Sequence, residues 1–376
     1  MAKIRLGIIG FGSMGQHHAS NLLAGKIARA ELVAICDADA ARFAKFPQLR
    51  AFATPAELFA AHCVDAVLIV TPHYSHTTIG IAALAAGLHV LVEKPISVHR
   101  SDAERLLAAH RNPRQVFAAM FNQRTDPYFQ ALRRLVQGGE LGAVRRVNWT
   151  ITNWFRTDAY YGQGGWRATW AGEGGGVLLN QCPHNLDLLQ WIFGMPRRVT
   201  GFCAFGRYHA IEVEDDVTAY LEYADGTHAT FITSTGEAPG TNRLEIAAEC
   251  GRVVYENDQL TWLRNAVPMG EFSRTSPEPF AQSKTDLVPV AAEGHGGQHV
   301  EILQNFVDAI LDGAPLIAPA AEGIHSVELA NAILLSAWTG GAVELPLDGR
   351  DYERALQEKI AAAKGQEMKS PANDAA

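Results

Sequence analysis

Short apolar runs alternate with helical patterns over the first third of the chain. The apolar runs predict strands at Leu6–Ile9, Glu31–Cys36, Asp65–Val70, His89–Val92 and Gln115–Ala119. The stretches between them predict helices near Ser13–Ala24, Asp39–Phe46, His76–Ala86 and Arg100–His110. Nearly continuous apolar strands indicate a sheet covered on both faces. Strands that alternate with helices at this spacing predict right-handed crossovers, and hence an α/β domain with a doubly wound parallel sheet.

The pattern changes after about Phe121. Helices are predicted at Pro127–Gln137 and Pro183–Phe193. Runs rich in β-branched and aromatic residues predict strands at Arg145–Phe155, Val199–Phe205, Val217–Tyr223, His228–Thr233, Arg243–Ala248 and Arg252–Glu256. Consecutive strands with short turns predict an open, mainly antiparallel sheet in a C-terminal α+β domain.

Two later helices, His299–Leu311 and Gly323–Ser336, are expected to pack on this second sheet. We therefore expect one domain over residues 1–122, a second over residues 123–364, and a frayed polar tail over residues 365–376.

Composition agrees with a globular chain of two domains, because 48% of the 376 residues are hydrophobic and 19% are charged. The 32 basic and 40 acidic residues give a net charge of −8, which argues against a nucleic-acid partner. The five cysteines are scattered and form no Cys-x-x-Cys motif, so neither a disulfide framework nor a zinc site is expected. No apolar run approaches the roughly 18 residues that span a membrane. A strand pattern follows directly after Met1, so we expect no signal peptide and a cytoplasmic location.

A glycine-rich motif lies between the first strand and the first helix. Its residues are Gly10, Phe11, Gly12, Ser13, Met14 and Gly15, a G-x-G-x-x-G pattern. In this context the glycines permit a tight turn and a close approach to a pyrophosphate at the helix N-terminus. A flavodoxin-like turn without a nucleotide is the alternative.

Asp37 ends the second strand, where a carboxylate accepts hydrogen bonds from the adenosine ribose. Such a carboxylate repels a 2′-phosphate, and Asp39 adds a second negative charge. Arg42 is expected to be less well placed to oppose them. NAD is therefore favoured over NADP.

Glu93-Lys94-Pro95 closes the strand His89–Val92 at its carboxyl end, the edge where ligands bind in open α/β sheets. A lysine there can lose solvation and act as an acid or base, although an isolated lysine is more often a surface charge. Thr71-Pro72-His73 and His76 follow the neighbouring strand Asp65–Val70.

Several ordered motifs together resemble the Gfo/Idh/MocA oxidoreductase family. They are Gly10, Gly12 and Gly15; Thr71-Pro72; Glu93-Lys94-Pro95; Asn122 with Arg124; and the run Gly175–Asp187. The resemblance implies a Rossmann domain followed by an open sheet that covers the nicotinamide. It further implies hydride transfer between the nicotinamide and a secondary carbinol carbon of a sugar, sugar phosphate or cyclitol. With the glycine motif, it predicts a cofactor site formed by Gly10, Phe11, Gly12, Ser13, Met14, Gly15, Asp37, Thr71, Pro72, His76, Glu93, Lys94 and Asn122.

The resemblance places the family's catalytic lysine at Lys94, and its signature Asp and His at Asn180 and His184. Asn180 departs from the family, because an amide hydrogen-bonds but does not accept a proton. Lys94 and His184 are therefore the predicted titrating pair, with Asn180 fixing the substrate. Pro183 suits the first turn of a helix that begins just after Asn180. Asp187 either holds the His184 imidazole or complements that first turn.

Trp166 and Arg167 are further substrate-binding candidates, beside Lys94, Asn180, His184 and Asp187. They lie in a run rich in glycine and tryptophan, Gly162–Gly176. Aromatic faces stack on sugar rings and a guanidinium donates to hydroxyls, although these residues suit packing between domains equally well. Tyr160 and Tyr161 are weaker candidates. The scattered histidines match no metal-ligand spacing, and no metal is expected.

The sequence thus predicts an NAD-dependent oxidoreductase acting on a small-molecule sugar, glycoside or cyclitol. One alternative is an NAD-dependent glycoside hydrolase that works by transient oxidation and elimination. A non-enzymatic NAD-responsive regulator is another, although such a regulator needs neither Lys94 nor His184. An open sheet with one bare face favours a homodimer or homotetramer.

Overall fold

The computed structural model describes residues 2–162 and 165–367. Its strands are β1 (Ile4–Ile9), β2 (Ala30–Cys36), β3 (Arg50–Phe52), β4 (Ala66–Ile69), β5 (His89–Val92), β6 (Phe117–Ala119), β7 (Val144–Ile151), β8 (Arg198–Phe205), β9 (Glu214–Glu222), β10 (His228–Ser234), β11 (Asn242–Ala248), β12 (Gly251–Glu256), β13 (Gln259–Asn265), β14 (Thr285–Pro289) and β15 (Val343–Glu344). Its helices are α1 (Ser13–Leu23), α2 (Pro55–Ala60), α3 (His73–Ala85), α4 (Arg100–Ala109), α5 (Pro127–Gln137), α6 (Asp158–Tyr161), α7 (Pro183–Phe193), α8 (Met269–Thr275), α9 (Gln298–Asp312), α10 (Gly323–Thr339) and α11 (Gly349–Glu367).

The first sheet has the strand order β3-β2-β1-β4-β5-β6, with parallel pairing throughout. Ile9 at the end of β1 pairs with Cys36 on one side and Ile69 on the other. The predicted doubly wound parallel sheet is confirmed. The strand order reverses at β1 and β4, so the loops after their carboxyl ends diverge and open a crevice.

The second sheet has the order β14-β13-β12-β11-β7-β10-β9-β8-β15. Its described strand pairs are antiparallel except for β7 with β10, which are parallel. In β9 the buried Val217, Ala219 and Leu221 alternate with outward residues, as expected for a sheet covered on one face. The predicted open, mainly antiparallel sheet is confirmed.

Helix α9 does not pack on the second sheet, so that prediction is wrong. Its buried residues Ile302, Leu303, Phe306 and Val307 join the apolar core of the first sheet. Arg29, next to the start of β2, fixes it there through ion pairs with Asp308 and Asp312. The apolar period predicted the helix, but it does not say which of two apolar surfaces the helix covers.

Helix α10 lies between the two cores. Val327 belongs to the core of the first sheet, whereas Leu329, Ala330, Ile333 and Leu334 belong to that of the second. Its predicted packing on the second sheet is therefore confirmed for most of its length. The division at residue 122 stays a prediction. The first sheet does end with β6, and a 3₁₀ turn over Asn122–Thr125 leads into α5.

Other differences lie in short or polar elements. The predicted helix Asp39–Phe46 is a 3₁₀ turn over Ala40–Phe43. The elements β3, β13, β14, β15, α2, α6, α8 and α11 were not predicted. Helix α11 continues to Glu367, so residues 365–367 of the predicted tail are helical, and residues 368–376 lie outside the described residues. None of the helices in the described ranges has an apolar stretch long enough to cross a membrane.

Candidate active site

The glycine-rich turn connects β1 to α1 at the crevice. Gly10 has a φ of +91°, and a Cβ there would lie 2.5 Å from the Val70 carbonyl oxygen. A Cβ on Gly15 would lie 2.2 Å from the Gly10 carbonyl oxygen. Both positions therefore require glycine. Ser13 and Met14 form the first turn of α1, where backbone N–H groups have no partner within the helix.

Asp37 lies beside this turn, as predicted. Its Oδ2 accepts from the Phe11 N–H at 2.6 Å and its Oδ1 from the Asp39 N–H at 2.9 Å. Phe11 contributes only its backbone here, because its side chain is fully buried and its ring packs edge-on against Phe46.

Arg42 was expected to be less well placed, and this is wrong. Its Nη1 lies 3.3 Å from Asp37 Oδ2, and a Cβ on Gly12 would lie 3.3 Å from the same nitrogen. A guanidinium therefore sits between the acidic residue and the glycine turn. The short 3₁₀ turn brings it there, whereas the expected helix would have directed it elsewhere.

The loops after β4 and β5 are joined by His76. Its Nδ1 lies 2.8 Å from the Pro95 carbonyl oxygen and its Nε2 lies 2.7 Å from that of Thr71. Burial lowers the pKa of His76, although the two carbonyls act in the opposite direction. Both ring nitrogens face protein atoms, so His76 holds the loops together and offers no free nitrogen to a cofactor. Pro72 is the N-cap residue of α3, and the Thr71 hydroxyl oxygen is buried without a partner among the described residues.

Glu93 is anchored by histidines that the sequence had left unassigned. His18 Nε2 lies 2.9 Å from Glu93 Oε1, and the rings of His17, His18 and His299 pack edge to face. Burial alone would raise the pKa of Glu93, but the hydrogen bond and charge of His18, with the charge of Lys94, lower it to about 2. Glu93 is therefore an ionised carboxylate directly before the lysine. Burial also lowers the pKa of His299, to about 4.

Lys94 extends toward the second domain and contacts the segment that precedes α7. Its Nζ donates to the backbone oxygen of Asn180 at 2.8 Å. Burial lowers the pKa of Lys94 below its ordinary value, against the carboxylates of Glu93 and Glu173, which raise it. A lysine in this state exchanges a proton more readily than a solvated one.

His184 lies in the first turn of α7, which begins at Pro183 as predicted. Burial, together with the charge of Lys94, lowers the pKa of His184 well below its ordinary value. The imidazole is therefore neutral at pH 7. Its Nδ1 is buried and has no hydrogen-bond partner in the part of the chain that is described.

Asp187 is bound by Arg124 and not by His184, so the prediction that it holds the imidazole is wrong. It lies beyond the first turn of α7, so it does not complement that turn either. Arg124 binds both carboxylate oxygens, with Nη2 at 2.6 Å from Oδ1 and Nε at 2.7 Å from Oδ2. Both side chains are 1% exposed. Gln190 donates a further hydrogen bond to Oδ1. A buried guanidinium requires a paired carboxylate, and this requirement occupies Asp187.

Arg167 is linked to Asn180 through Tyr160. Arg167 Nη1 donates to the Tyr160 hydroxyl at 2.9 Å, and that hydroxyl lies 3.4 Å from Asn180 Oδ1. The Arg167 guanidinium also stacks on Trp166, whose ring packs edge-on against His73. The neighbouring Gln163 and Gly164 of the predicted run lie outside the described residues.

Glu173 is the site residue that sequence reasoning missed. Its side chain is buried and accepts hydrogen bonds from the Ala168 N–H and the Asn180 amide. The available signal was an acidic residue directly before three glycines, within the glycine- and tryptophan-rich run Gly162–Gly176.

A polar cavity of about 290 Å³ lies next to the residues around Lys94 and His184. Its lining residues are Gln123, Asp126, Phe129, Asn153, Trp154, Asn185, Asn242, Tyr255, Asp258, His295 and Gln298. Three of them are direct chain neighbours of residues described above. Asn185 follows His184, Gln123 follows Asn122, and Gln298 precedes His299. Asn122 also donates from Nδ2 to Gln298 Oε1 at 2.5 Å.

A parallel sheet with a glycine turn and a buried lysine at its carboxyl edge defines a dinucleotide-dependent oxidoreductase. The chain belongs to the Gfo/Idh/MocA family: residues 4–121 match its NAD-binding Rossmann-fold model and residues 129–254 match a GFO/IDH/MocA C-terminal domain model. The predicted family and the NAD cofactor are confirmed.

Similar proteins include several dehydrogenases. Inositol 2-dehydrogenase 2 of Paenarthrobacter aurescens is 27% identical over 354 residues, which cover 90% of this chain and 97% of that one. The WlbA dehydrogenase of Chromobacterium violaceum, solved with NADH and UDP-GlcNAcA, is 28% identical with a TM-score of 0.80, and 93% of this chain and 97% of that one are covered. The uncharacterised oxidoreductase YdgJ of Escherichia coli is 32% identical over 199 residues, covering 53% of this chain and 56% of that one.

The residues present fit NAD. Gly10 and Gly15 leave the glycine turn no room for side chains, and the first turn of α1 presents its N–H groups. The Thr71 hydroxyl and the Asn122 Oδ1 are buried acceptors left without a partner within the described ranges. Thr71 follows β4, between the glycine turn and Lys94, and Asn122 follows β6 on the far side of Lys94.

Proposed function

We propose that this protein transfers a hydride between NAD and a secondary hydroxyl carbon of an uncharged sugar or cyclitol. The observation that carries the proposal is Lys94, whose partly desolvated ammonium meets the segment before α7 at Asn180. His184, neutral and with an unpartnered Nδ1, lies near enough for the lysine charge to act on it. A regulator requires neither group.

The chain's own residues account for the proton. NAD, when bound, supplies the hydride acceptor at C4 of its nicotinamide. In the oxidation direction neutral Lys94 takes the hydroxyl proton at Nζ as the carbon loses its hydride and becomes a ketone. His184 accepts or donates a hydrogen bond to fix the hydroxyl, and Asn180 holds the Lys94 side chain through its backbone oxygen. In the reverse direction Lys94 returns the proton.

The polar cavity supports an uncharged substrate. Its lining combines the neutral amides of Asn153, Asn185 and Asn242 with aromatic rings, and neither lysine nor arginine lines it among the described residues. Asp126 and Asp258 would repel a phosphate or a carboxylate. Amides and aromatic faces are the groups that bind the hydroxyls and C–H faces of a single sugar ring. Inositol, named in one relative, fits this description better than the anionic UDP-GlcNAcA of the other.

The test is a panel of neutral cyclitols and sugars, their phosphates, and nitrophenyl glycosides, each with NAD, followed by the absorbance of NADH. We expect steady NADH formation with a neutral ring and little with its phosphate. Nitrophenol release without net NADH would instead show the oxidation–elimination hydrolase. No reaction with any compound, despite NAD binding, would favour the regulator and overturn the proposal.

We further infer a homodimer or homotetramer formed through the open face of the second sheet. Phe202 on β8 is 66% exposed and Tyr220 on β9 is 42% exposed, on neighbouring strands. Large apolar side chains on a bare sheet face favour a covering partner. Light scattering should give a particle mass that is a multiple of the 40.7 kDa chain mass, and Phe202→Glu should reduce that particle mass.

The five cysteines are unpaired, which supports a location in the cytoplasm.

A further inference from the structure

Glu173 has its carboxylate fixed on both sides. Oε2 accepts from the Ala168 N–H at 2.7 Å, and Oε1 accepts from the side-chain amide of Asn180. The residue is 2% exposed. Burial raises the pKa of Glu173, while these two hydrogen bonds and the charges of Arg167 and Lys94 act to lower it. A buried carboxylate at this position needs a nearby cation.

Asn180 touches both Glu173 and Lys94. Its amide nitrogen donates to the carboxylate, and its backbone oxygen accepts from Lys94 Nζ at 2.8 Å. Its remaining amide oxygen faces the Tyr160 hydroxyl. Asparagine suits this place because a neutral amide donates to a carboxylate without adding a charge. An aspartate here would place two carboxyl groups in contact, and they would share a proton.

We propose that Glu173 is a positioning residue for Lys94, which supplies through Asn180 the negative charge that the amide at position 180 lacks. Glu173 then sets the fraction of Lys94 that is neutral, and so able to accept a proton, at a given pH. The inference rests on the proposed role of Lys94 as the proton acceptor.

Other titratable or charged groups also surround Lys94, and the contribution of Glu173 is additional to theirs. They are Glu93 on the same loop, Cys182 before α7, Arg156 after β7, and the histidines His73, His76, His184 and His299. Glu93 is ionised through the whole neutral range because its pKa is lowered to about 2. It therefore provides a constant background, against which removing Glu173 should be measurable.

A purely structural role is the competing explanation, since Glu173 also holds the Ala168 backbone. Glu212 offers a matched control. Its Oε2 accepts from the Trp170 N–H at 3.1 Å, two residues further along the same segment, and it is not among the groups that act on Lys94. A variant at Glu212 therefore disturbs the same segment without removing a negative charge that acts on Lys94.

The experiment measures the titration of Lys94 directly. Wild type, Glu173→Gln and Glu212→Gln are labelled with a limiting amine reagent from pH 6 to 11, and modification of Lys94 is read by peptide mass spectrometry. We expect the midpoint in Glu173→Gln to fall by about one pH unit, the lower end of the effect of a nearby charge. Glu212→Gln should keep the wild-type midpoint. An unchanged midpoint in Glu173→Gln, or an equal shift in both variants, would overturn the inference.

Two further variants keep the test decisive if Glu173→Gln folds poorly. Asn180→Leu leaves Glu173 in place but removes the amide that donates to it. The carboxylate then loses a hydrogen bond that favours its charged form, and the Lys94 midpoint should also fall. Glu173→Gln with Asn180→Asp moves the carboxylate one side chain closer and should restore the wild-type midpoint. A wild-type midpoint in Asn180→Leu, or no restoration in the double variant, would contradict the inference.

The labelling needs no substrate, so the two proposals fail separately. Hydride transfer without any midpoint shift in Glu173→Gln would retain the proposed function and reject the role of Glu173. A midpoint shift in a protein that oxidises no compound would reject the function and leave the pairing of Glu173 with Lys94.

Discussion

Arg124 and Asp187 form a two-pronged ion pair with both side chains 1% exposed, joining the 3₁₀ turn Asn122–Thr125 to α7. The pair fixes the first turn of α7, and with it His184, relative to the end of the first sheet. It also removes Asp187 from the chemistry. Among the described residues, no carboxylate therefore orients the neutral His184. The charges that act on the site come instead from residues near Lys94.

Breaking this pair should cost stability more than proton chemistry. We expect Asp187→Asn to lower the free energy of unfolding by about 3 kcal/mol, because it leaves Arg124 buried without its main partner. Urea unfolding measures the change. Asp348→Asn, which removes the partner of the exposed Arg350, should cost much less, because water screens a pair on the surface. If Asp187→Asn and Asp348→Asn were equally stable, the ion pair would not hold α7 in place.

Lys94→Ala should lower the rate of hydride transfer by about 10²–10⁴, the usual worth of general acid–base catalysis. NAD affinity, measured by quenching of tryptophan fluorescence, should change little, because Lys94 is held by the backbone of Asn180. In the wild type the rate of oxidation should rise with pH as Lys94 loses its proton, with a midpoint below that of an ordinary lysine because burial lowers its pKa. Near-normal turnover in Lys94→Ala would remove Lys94 from the mechanism.

Cofactor choice should depend on Asp37 and Arg42 together. Asp37→Ala should weaken NAD binding by about tenfold, since a hydrogen bond to a charged group is worth roughly 1.5–3 kcal/mol. It should also improve NADP binding, because Arg42 Nη1 loses the Asp37 carboxylate and can bind a 2′-phosphate, while Arg42 Nε keeps its contact with the exposed Asp39. Adding Arg42→Ala should abolish that gain. Equal NADP affinity in the single and double variants would show that Arg42 does not reach the phosphate.

The sequence predicted those elements whose apolar residues follow a clear pattern and whose ends carry a recognisable motif. Continuous apolar runs predicted the parallel strands, and the positions of Gly10 and Lys94 at the ends of two of them placed the cofactor edge. Asn180 and His184 were found through the family resemblance of the run Gly175–Asp187, and Pro183 only marked where α7 begins. What failed has a common cause: the partner of a side chain or a helix face is decided by the folded chain and not by the local pattern.

Three cases show this. The apolar stripe of α9 could pack on the core of either sheet. In the structure it packs on the first sheet, where Arg29 forms ion pairs with Asp308 and Asp312. Asp187 has the spacing to hold His184, but Arg124 arrives from 63 residues away and binds it instead. Glu173 belongs to no periodic pattern of apolar residues that would have marked it. It joins the site because the chain turns at the glycines after it and brings the Asn180 amide within hydrogen-bond distance of its carboxylate.

Glu214, the first residue of β9, should make stability fall as the pH rises through the weakly acidic range. It is fully buried beneath the segment before α7, where Oε1 accepts from the Leu178 N–H at 3.0 Å and Oε2 has no partner in the described ranges. Burial raises the pKa of Glu214 to about 7, from 4.5 for the free residue. Between these two values the folded protein binds a proton that the unfolded chain releases. The stabilisation from Glu214 is therefore complete below about pH 4.5 and is lost as the pH rises to about 7, a decline of about 3 kcal/mol in all.

The variant Glu214→Gln removes this titration while keeping a side-chain oxygen for the Leu178 N–H. Urea unfolding of wild type and Glu214→Gln between pH 4.5 and 8 isolates the effect, because every other titrating group is common to both. We expect Glu214→Gln to gain stability relative to wild type as the pH rises through this range. Glu222→Gln, at the exposed far end of β9 where the Arg198 hydrogen bond lowers the carboxyl pKa, should track the wild type there. Parallel curves for wild type and Glu214→Gln would mean that the Glu214 carboxyl is ionised in the folded protein throughout.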